Sequence, residues 1–216
     1  AGIEGLRVGW DQAFSDTGTD VGLLLAIEEA LEVLRSLGAD LVEVRMPAET
    51  AHIGDAWFAI CAYEAHRAHA VKFGANAEAF GPFFRDFLTI GGSITDEQYA
   101  GAGQVLAAFS QQFTAVLESV DAMVCPSGGL TFPVEPAALY GNREAIEPLF
   151  AAVQMQFTIP ADFAGTPTLT VPCGFSEDGR PYALQFMGRR LSEPTLCRFG
   201  HAYEGATGWH QRHPPV

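Results

Sequence analysis

The chain has 216 residues, a formal net charge of −14 at pH 7, 48% hydrophobic residues and 18% charged residues. This length and apolar content are sufficient for a hydrophobic core and exclude general disorder. The 26 acidic residues outnumber the 12 basic ones, which opposes contact with a phosphate backbone, so no nucleic-acid partner is expected. No membrane partner is expected either, because no segment approaches the roughly 20 apolar residues of a membrane-spanning helix.

The cysteines and the first residues indicate a cytoplasmic chain. The four cysteines, at positions 61, 125, 173 and 197, are far apart and form no CxxC pair. This spacing indicates neither a zinc site nor a disulfide framework. The chain begins with Ala1 and has no apolar signal-peptide segment. Its start indicates either a removed tag or a chain that begins partway through a longer one.

The N-terminal part has the pattern of a strand, a helix and a second strand. Residues 6–9, Leu-Arg-Val-Gly, have the pattern of a short strand, and residues 41–44 alternate before Pro47. Between them, apolar residues recur every three or four positions from Asp20, a capping residue, to Gly38. A strand, crossover helix and strand predict a parallel pair. No GxGxxG follows the first strand, so this unit is not expected to bind a dinucleotide.

Helices dominate the next part of the chain. Residues 54–73 are rich in alanine and aromatic residues and are predicted to be helical, whereas residues 80–90 fit either a helix or a loop. Thr95 and Gln98 form a capping-box pattern. This pattern predicts a long helix that ends near Ser119.

A compact apolar strand at residues 121–125 is followed by a glycine- and proline-rich connection to about Gly141. A further helix is predicted near residues 146–157. Ser127 comes directly after the strand, where pocket residues of α/β proteins are often found. A turn serine beside flexible glycines is the alternative interpretation.

The C-terminal pattern is a hairpin followed by a helix. Residues 168–171 and 182–186 are predicted strands joined by a short turn, which favours antiparallel pairing. Ser192 is the predicted cap of the last helix. With no internal repeat and no linker, the pattern predicts α/β structure in one domain over residues 1–216, with no internal boundary. We expect a mixed sheet flanked by helices on both faces.

No complete catalytic constellation is visible in the sequence. Ser93 lies in a glycine-rich segment without a GxSxG elbow. Lys72, the only lysine, is predicted at a helix end, where a cation has a structural role. His66 and His69 share a helix with no carboxylate on the same face, so no metal site is predicted. We therefore assign no catalytic residue and no metal ligand to this chain.

Two C-terminal motifs resemble the amidase signature family. Within residues 157–174, a Gly-Thr-Pro at 165–167 precedes a strand that ends in Val-Pro-Cys-Gly, and residues 178–188 are similar to the family's Asp-Gly-Leu-Pro hairpin. The closing helix and tail, residues 5–9 and residues 121–126 also fit the family. The resemblance therefore covers essentially the whole chain in order, as the C-terminal half of an amidase.

The resemblance implies hydrolysis or transfer at a carboxamide by a serine nucleophile, a second serine in a cis peptide and a lysine base. In the family these groups precede the matched region, so Lys72 and Ser93 match neither of them. The expected partner is the N-terminal catalytic half, either covalently joined or as a separate chain. A small-molecule amide substrate and no cofactor are implied, and a homodimer of the complete enzyme fits the family.

Four residues of the matched half are expected to bind substrate: Ser127, Met155, Thr158 and Asp162. Asp162 stands where the family frequently has asparagine, which either brings a charge to the substrate or rearranges a loop. Residues 105–107 stand where amidotransferase relatives tend to carry an arginine that binds a substrate carboxylate. The absence of that arginine and the acidic composition favour an amidase that acts on a fairly apolar amide over a tRNA-linked enzyme.

The sequence leaves two functions open. Either the chain is the C-terminal half of an amidase, as a fragment, a processed product or a separate subunit, or it is a non-catalytic binding or scaffold subunit that retains half of an amidase fold. Half of a sheet leaves an apolar face and an unpaired strand edge. The first hypothesis therefore predicts that the isolated chain aggregates or binds a hydrophobic dye.

Overall fold

A mixed sheet forms the centre of the fold in the computed structural model, which describes residues 2–130 and 155–213. Its strands are β1 (Arg7–Trp10), β2 (Asp40–Glu43), β3 (Ala122–Pro126), β4 (Thr168–Phe175) and β5 (Pro181–Met187). They are arranged in the order β2-β1-β3-β5-β4. β1 pairs in parallel with β2 and β3, whereas β5 runs antiparallel to β3 and β4. The predicted parallel pair and the predicted hairpin are both confirmed.

Helices account for most of the remaining described residues. They are α1 (Gln12–Asp16), α2 (Val21–Ser36), α3 (Gly54–Ala75), α4 (Pro82–Ser93), α5 (Asp96–Glu118), α6 (Ile159–Ala164) and α7 (Glu193–Ala206). Of the helix predicted near 146–157, residues 146–154 lie outside the described residues, and Met155–Phe157 form one 3-10 turn. None of the helices in the described ranges combines the length and the apolar character that a bilayer span requires.

Successive residues of the central strand point into two different cores, one on each face of the sheet. In β3, Ala122 and Val124 belong to the core that contains residues of α2 and α7. Met123 and Cys125 belong to the other core, which contains residues of α5 and α6. Both faces are thus covered by helices, which confirms the predicted architecture.

Two of the predicted helix caps make side-chain hydrogen bonds to their helices, and a third does not. Asp20 accepts hydrogen bonds from first-turn N–H groups of α2, and Thr95 and Gln98 form a reciprocal capping box on α5. Ser192 precedes α7, but its side chain does not cap the helix and donates instead to the carbonyl oxygen three residues earlier. The second residue of α7 is proline, which has no N–H for a cap to bind. Ser192 is therefore the N-cap residue of α7, as predicted, but without a capping hydrogen bond from its side chain.

The segment at residues 80–90, which fits either a helix or a loop, is largely helical as α4 and packs along α3. The two helices approach closely because Gly91 has no side chain. A Cβ at Gly91 would lie 2.0 Å from the carbonyl oxygen of Ala62 on α3. Aromatic rings add to this contact, as in the edge-to-face pair of Phe58 and Phe87, whose centroids are 5.4 Å apart.

We expect Gly91→Ala to destabilise the fold by about 1–3 kcal/mol, because the added methyl group forces α3 and α4 apart. Gly101 is the matched control: it lies on α5 with nothing within 4 Å of its would-be Cβ. Gly101→Ala should raise stability by up to about 1 kcal/mol through helix propensity. Urea unfolding of both variants in the same background measures the difference, and equal effects would contradict this account of the α3–α4 contact.

Candidate functional site

The three parallel strands end at one edge of the sheet, the usual location of ligand sites in α/β folds. Ser127 follows β3 at this edge and is half-buried. Its backbone N–H donates to the carbonyl oxygen of Ala183 at 3.1 Å. Its hydroxyl makes no hydrogen bond to any residue that the structure describes.

Met155 and Thr158 lie at the two ends of a short segment, residues 155–158. Between them, Phe157 is fully buried and packs edge-to-face on Phe14, with ring centroids 5.0 Å apart. Met155 is 37% exposed, and Thr158 is exposed and donates its hydroxyl to the carbonyl oxygen of Met155 at 3.2 Å. The buried ring holds the segment in place and leaves its two ends on the surface.

Gln185 connects this segment to the sheet. Its side chain is almost completely buried, and its Nε2 donates to the carbonyl oxygen of Phe157 at 2.7 Å and contacts Cys125 Sγ at 3.4 Å. Cys125 lies two residues before Ser127, so one amide group joins the end of β3 to the 155–158 segment. Gln185 is not among the residues predicted from the sequence. The feature that could have identified it is a polar residue within an otherwise apolar strand.

Asp162 lies in the first turn of α6 and faces α3. Its carboxylate is exposed, and the indole Nε1 of Trp57 donates to its Oδ2. Cys61 lies one helical turn further along α3. Burial raises the pKa of the Cys61 thiol, and the negative charges of Asp162 and then Glu64 raise it further. Asp162, Trp57 and Cys61 therefore share one local environment.

The four predicted pocket residues form two groups rather than one hydrogen-bonded cluster. Ser127 follows β3, and Met155 and Thr158 flank Phe157, which Gln185 links to β3; we call these three residues the strand-edge group. Asp162 belongs with Trp57 between α6 and α3. Within residues 2–130 and 155–213, no hydrogen bond joins the side chain of one of the four to that of another. Their role in binding substrate stays a prediction.

Asp11 is a second residue at this edge that the sequence analysis missed. It follows β1, is almost fully buried, and accepts hydrogen bonds from the backbone N–H groups of Phe14 at 3.2 Å and Met46 at 2.7 Å. Arg45 Nη1 lies 3.1 Å from its Oδ1. Asp11 thereby fixes the chain after both β1 and β2, and its signal was a carboxylate directly after a strand.

Other reactive side chains have structural contacts. Ser93 donates its hydroxyl to the carbonyl oxygen of Ile90 at 2.7 Å. His66 Nδ1 lies 2.8 Å from the carbonyl oxygen of Leu88, which requires the Nδ1–H tautomer. Lys72 is in the last turn of α3, as predicted. Among the described residues, no three His, Cys, Asp or Glu side chains converge as a metal site requires.

Comparison with known proteins gives the family of this fold. A family model described as Amidase matches residues 3–197. The chain belongs to the amidase signature family. The resemblance carried by residues 157–174 and 178–188 is thereby confirmed.

The relatives that this chain matches include proteins named amidotransferase subunit and a protein named amidase. The chain is 34% identical over 238 residues to a glutamyl-tRNA(Gln) amidotransferase subunit of Chloroflexus aggregans, in a match that covers 99% of this chain and 47% of the relative. It is 34% identical over 221 residues to an amidase of Pseudomonas putida, with coverage of 100% and 46%. A crystal structure of an amidase matches with a TM-score of 0.78 at 25% identity, covering 96% and 47%. The chain thus spans about half the length of the relatives it matches.

We expect Gln185→Met to destabilise the protein by about 1–3 kcal/mol, because the variant leaves the buried carbonyl of Phe157 without its N–H partner. Gln112 is exposed on α5 and serves as the control, since Gln112→Met should change stability by less than about 0.5 kcal/mol. Urea unfolding of both variants gives the comparison. A Gln185 variant as stable as the control would show that this amide does not hold the segment.

Proposed function

We propose that this chain is the C-terminal half of an amidase that hydrolyses a carboxamide C–N bond. The observation that supports the proposal is the extent of the match: a relative named amidase covers 100% of this chain, and the chain covers 46% of that relative. The remainder of such an enzyme lies outside this chain. In the cytoplasm, the two parts would act together, with the chain completing the fold and the substrate pocket.

The chemistry of the proposal divides between the two halves. The nucleophilic serine, the second serine and the lysine base belong to the half outside this chain. The serine oxygen attacks the amide carbon, the C–N bond breaks, and the amine leaves with a proton from the base. Water then cleaves the acyl-enzyme and restores the serine. This chain contributes the surface that receives the substrate on either side of the reacting bond.

The strand-edge group supplies both polar and apolar contacts for that surface. Ser127 offers a hydroxyl that no described residue engages, and Met155 offers a partly exposed thioether side chain. Gln185 and the buried ring of Phe157 fix the position of residues 155–158 relative to the end of β3. A mostly apolar wall with few polar groups is typical of small-molecule sites.

The side chains of α5 favour a small amide over a tRNA-linked substrate. Val105 and Ala107 are exposed on this helix, so residues 105–107 present no cation to a substrate carboxylate. The net charge of −14 adds repulsion toward RNA. These features support the amidase function over the amidotransferase function, although relatives of both kinds share 34% identity with the chain.

The alternative is a non-catalytic binding or scaffold subunit with half an amidase fold. It is favoured by one observation: helices of this chain cover both faces of its own sheet, which gives two buried cores. The edge strand β2 instead favours the interpretation of the chain as half of an enzyme. Leu41 and Val42 are only half-buried there, and a concavity of about 410 Å³ lies between β2 and α2.

Hydrolysis of a panel of carboxamides, followed by release of ammonia or amine, tests the proposed function. We expect the complete enzyme to be active and residues 1–216 alone to be inactive. In the complete enzyme, Ser93→Ala and Lys72→Met should leave the rate unchanged, because neither side chain belongs to the proposed pocket. Activity of residues 1–216 alone, or loss of activity in either variant, would contradict this division of roles.

The state of the isolated chain separates the two candidate functions. If the chain is half of an enzyme, the uncovered edge at β2 should cause self-association and fluorescence of a bound hydrophobic dye. Addition of the other half should suppress both signals. Size-exclusion chromatography measures the self-association, and dye titration measures the exposed apolar surface. A monodisperse monomer that binds no dye would favour the scaffold function.

A further inference from the structure

Asp162 carries a negative charge that no described residue neutralises. The only hydrogen bond that its carboxylate accepts within the described ranges comes from the neutral indole N–H of Trp57, and it forms no ion pair there. An indole N–H orients a carboxylate without cancelling its charge. Within the described ranges, the second oxygen, Oδ1, has neither a hydrogen-bond donor nor a cation as partner.

The α3 surface around Asp162 is also electronegative. Glu64 lies on this helix and accepts a hydrogen bond from the Tyr99 hydroxyl at 2.6 Å, which leaves its charge in place. The nearest arginine on α3 along the chain is Arg67, whose guanidinium donates to the Tyr63 hydroxyl at 2.7 Å and stacks on that ring. Asp162 and Glu64 thus both place negative charge near Cys61.

One aromatic side chain adjoins this carboxylate. Trp57 donates its N–H to Asp162 and is partly buried against the second core. An ammonium ion that carries an apolar group finds two contacts in such a place, because its charge pairs with the carboxylate and its apolar group packs on the indole ring. The surface thus combines an apolar ring with one negative charge.

The carboxylate is close enough to Thr158 to contact the same substrate. The backbone N–H of Asp162 donates to the carbonyl oxygen of Thr158 at 3.3 Å, so the two residues are one helical turn apart. One turn corresponds to roughly 6 Å along the helix axis. A substrate held near Thr158 can therefore extend to Asp162.

We propose that Asp162, oriented by Trp57, selects amide substrates that have an apolar body and one ammonium group. This inference rests on the proposed amidase function and names its substrate class. The positive charge lies on the side of the molecule that faces α3 and α6. An uncharged amide of the same shape binds without the charge-assisted contact and is a poorer substrate.

Matched substrate pairs test the inference in the complete enzyme. 4-(Aminomethyl)benzamide and 4-ethylbenzamide differ by an ammonium on the acyl side, and the acetanilides with the same para substituents differ on the amine side. We expect kcat/KM to favour the ammonium member of one pair by about 10-fold or more, as one charge-assisted contact provides. Asp162→Asn should remove this preference, with a larger loss of kcat/KM for the ammonium member than for the uncharged member. Glu64→Gln, with the Tyr99 contact retained, should reduce the preference less than Asp162→Asn does, because Trp57 orients Asp162 and not Glu64.

Protection of Cys61 gives a second measurement that does not depend on turnover. Benzylammonium bound between Trp57 and Asp162 should slow alkylation of Cys61 in the complete enzyme and have no such effect in Asp162→Asn. Absence of protection, absence of a preference within both pairs, or an equal loss for charged and uncharged substrates in Asp162→Asn would overturn the inference. Failure of the complete enzyme to hydrolyse any carboxamide would instead overturn the proposed function.

Discussion

The rest of the structure depends on the burial of β3 on both of its faces. This strand pairs in parallel with β1 and antiparallel with β5, so it is where the sheet changes direction. Its residues alternate between two cores, and a shift of register by one residue would exchange them. The position of Ser127 at the end of this strand is therefore fixed by packing far from the site itself.

The proposed pocket combines two kinds of support. On the sheet side, one buried amide, that of Gln185, joins the end of β3 to the segment that carries Met155 and Thr158. On the helical side, Trp57 orients the carboxylate of Asp162 across the α3–α6 contact. The first arrangement places neutral groups where a substrate body would lie, and the second adds a charge one helical turn away. In the proposed pocket, the neutral groups would fit the shape of the substrate body, and the carboxylate would select the charge of the substrate.

The family match and the exposed edge strand point to the same organisation. The chain spans about half the length of relatives that it matches almost from end to end. Within the described residues both faces of the sheet are covered, but β2 has a neighbour on one side only. Backbone N–H and C=O groups on that edge can pair with a further strand. In the proposed complete enzyme, a further strand would pair with this edge or with β4, the edge strand at the other end of the strand order.

Local signals in the sequence determined the elements whose hydrogen bonds join nearby residues. The capping box of Thr95 and Gln98, the 168–186 hairpin and the motifs of the amidase family all depend on short spacing, and each is present as predicted. Contacts between distant residues were decided only by the tertiary structure. Trp57 and Asp162 are 105 residues apart, and Gln185 is 60 residues from Cys125. No local pattern encodes such pairs, because they exist only when packing of the sheet and helices brings the two chain segments together.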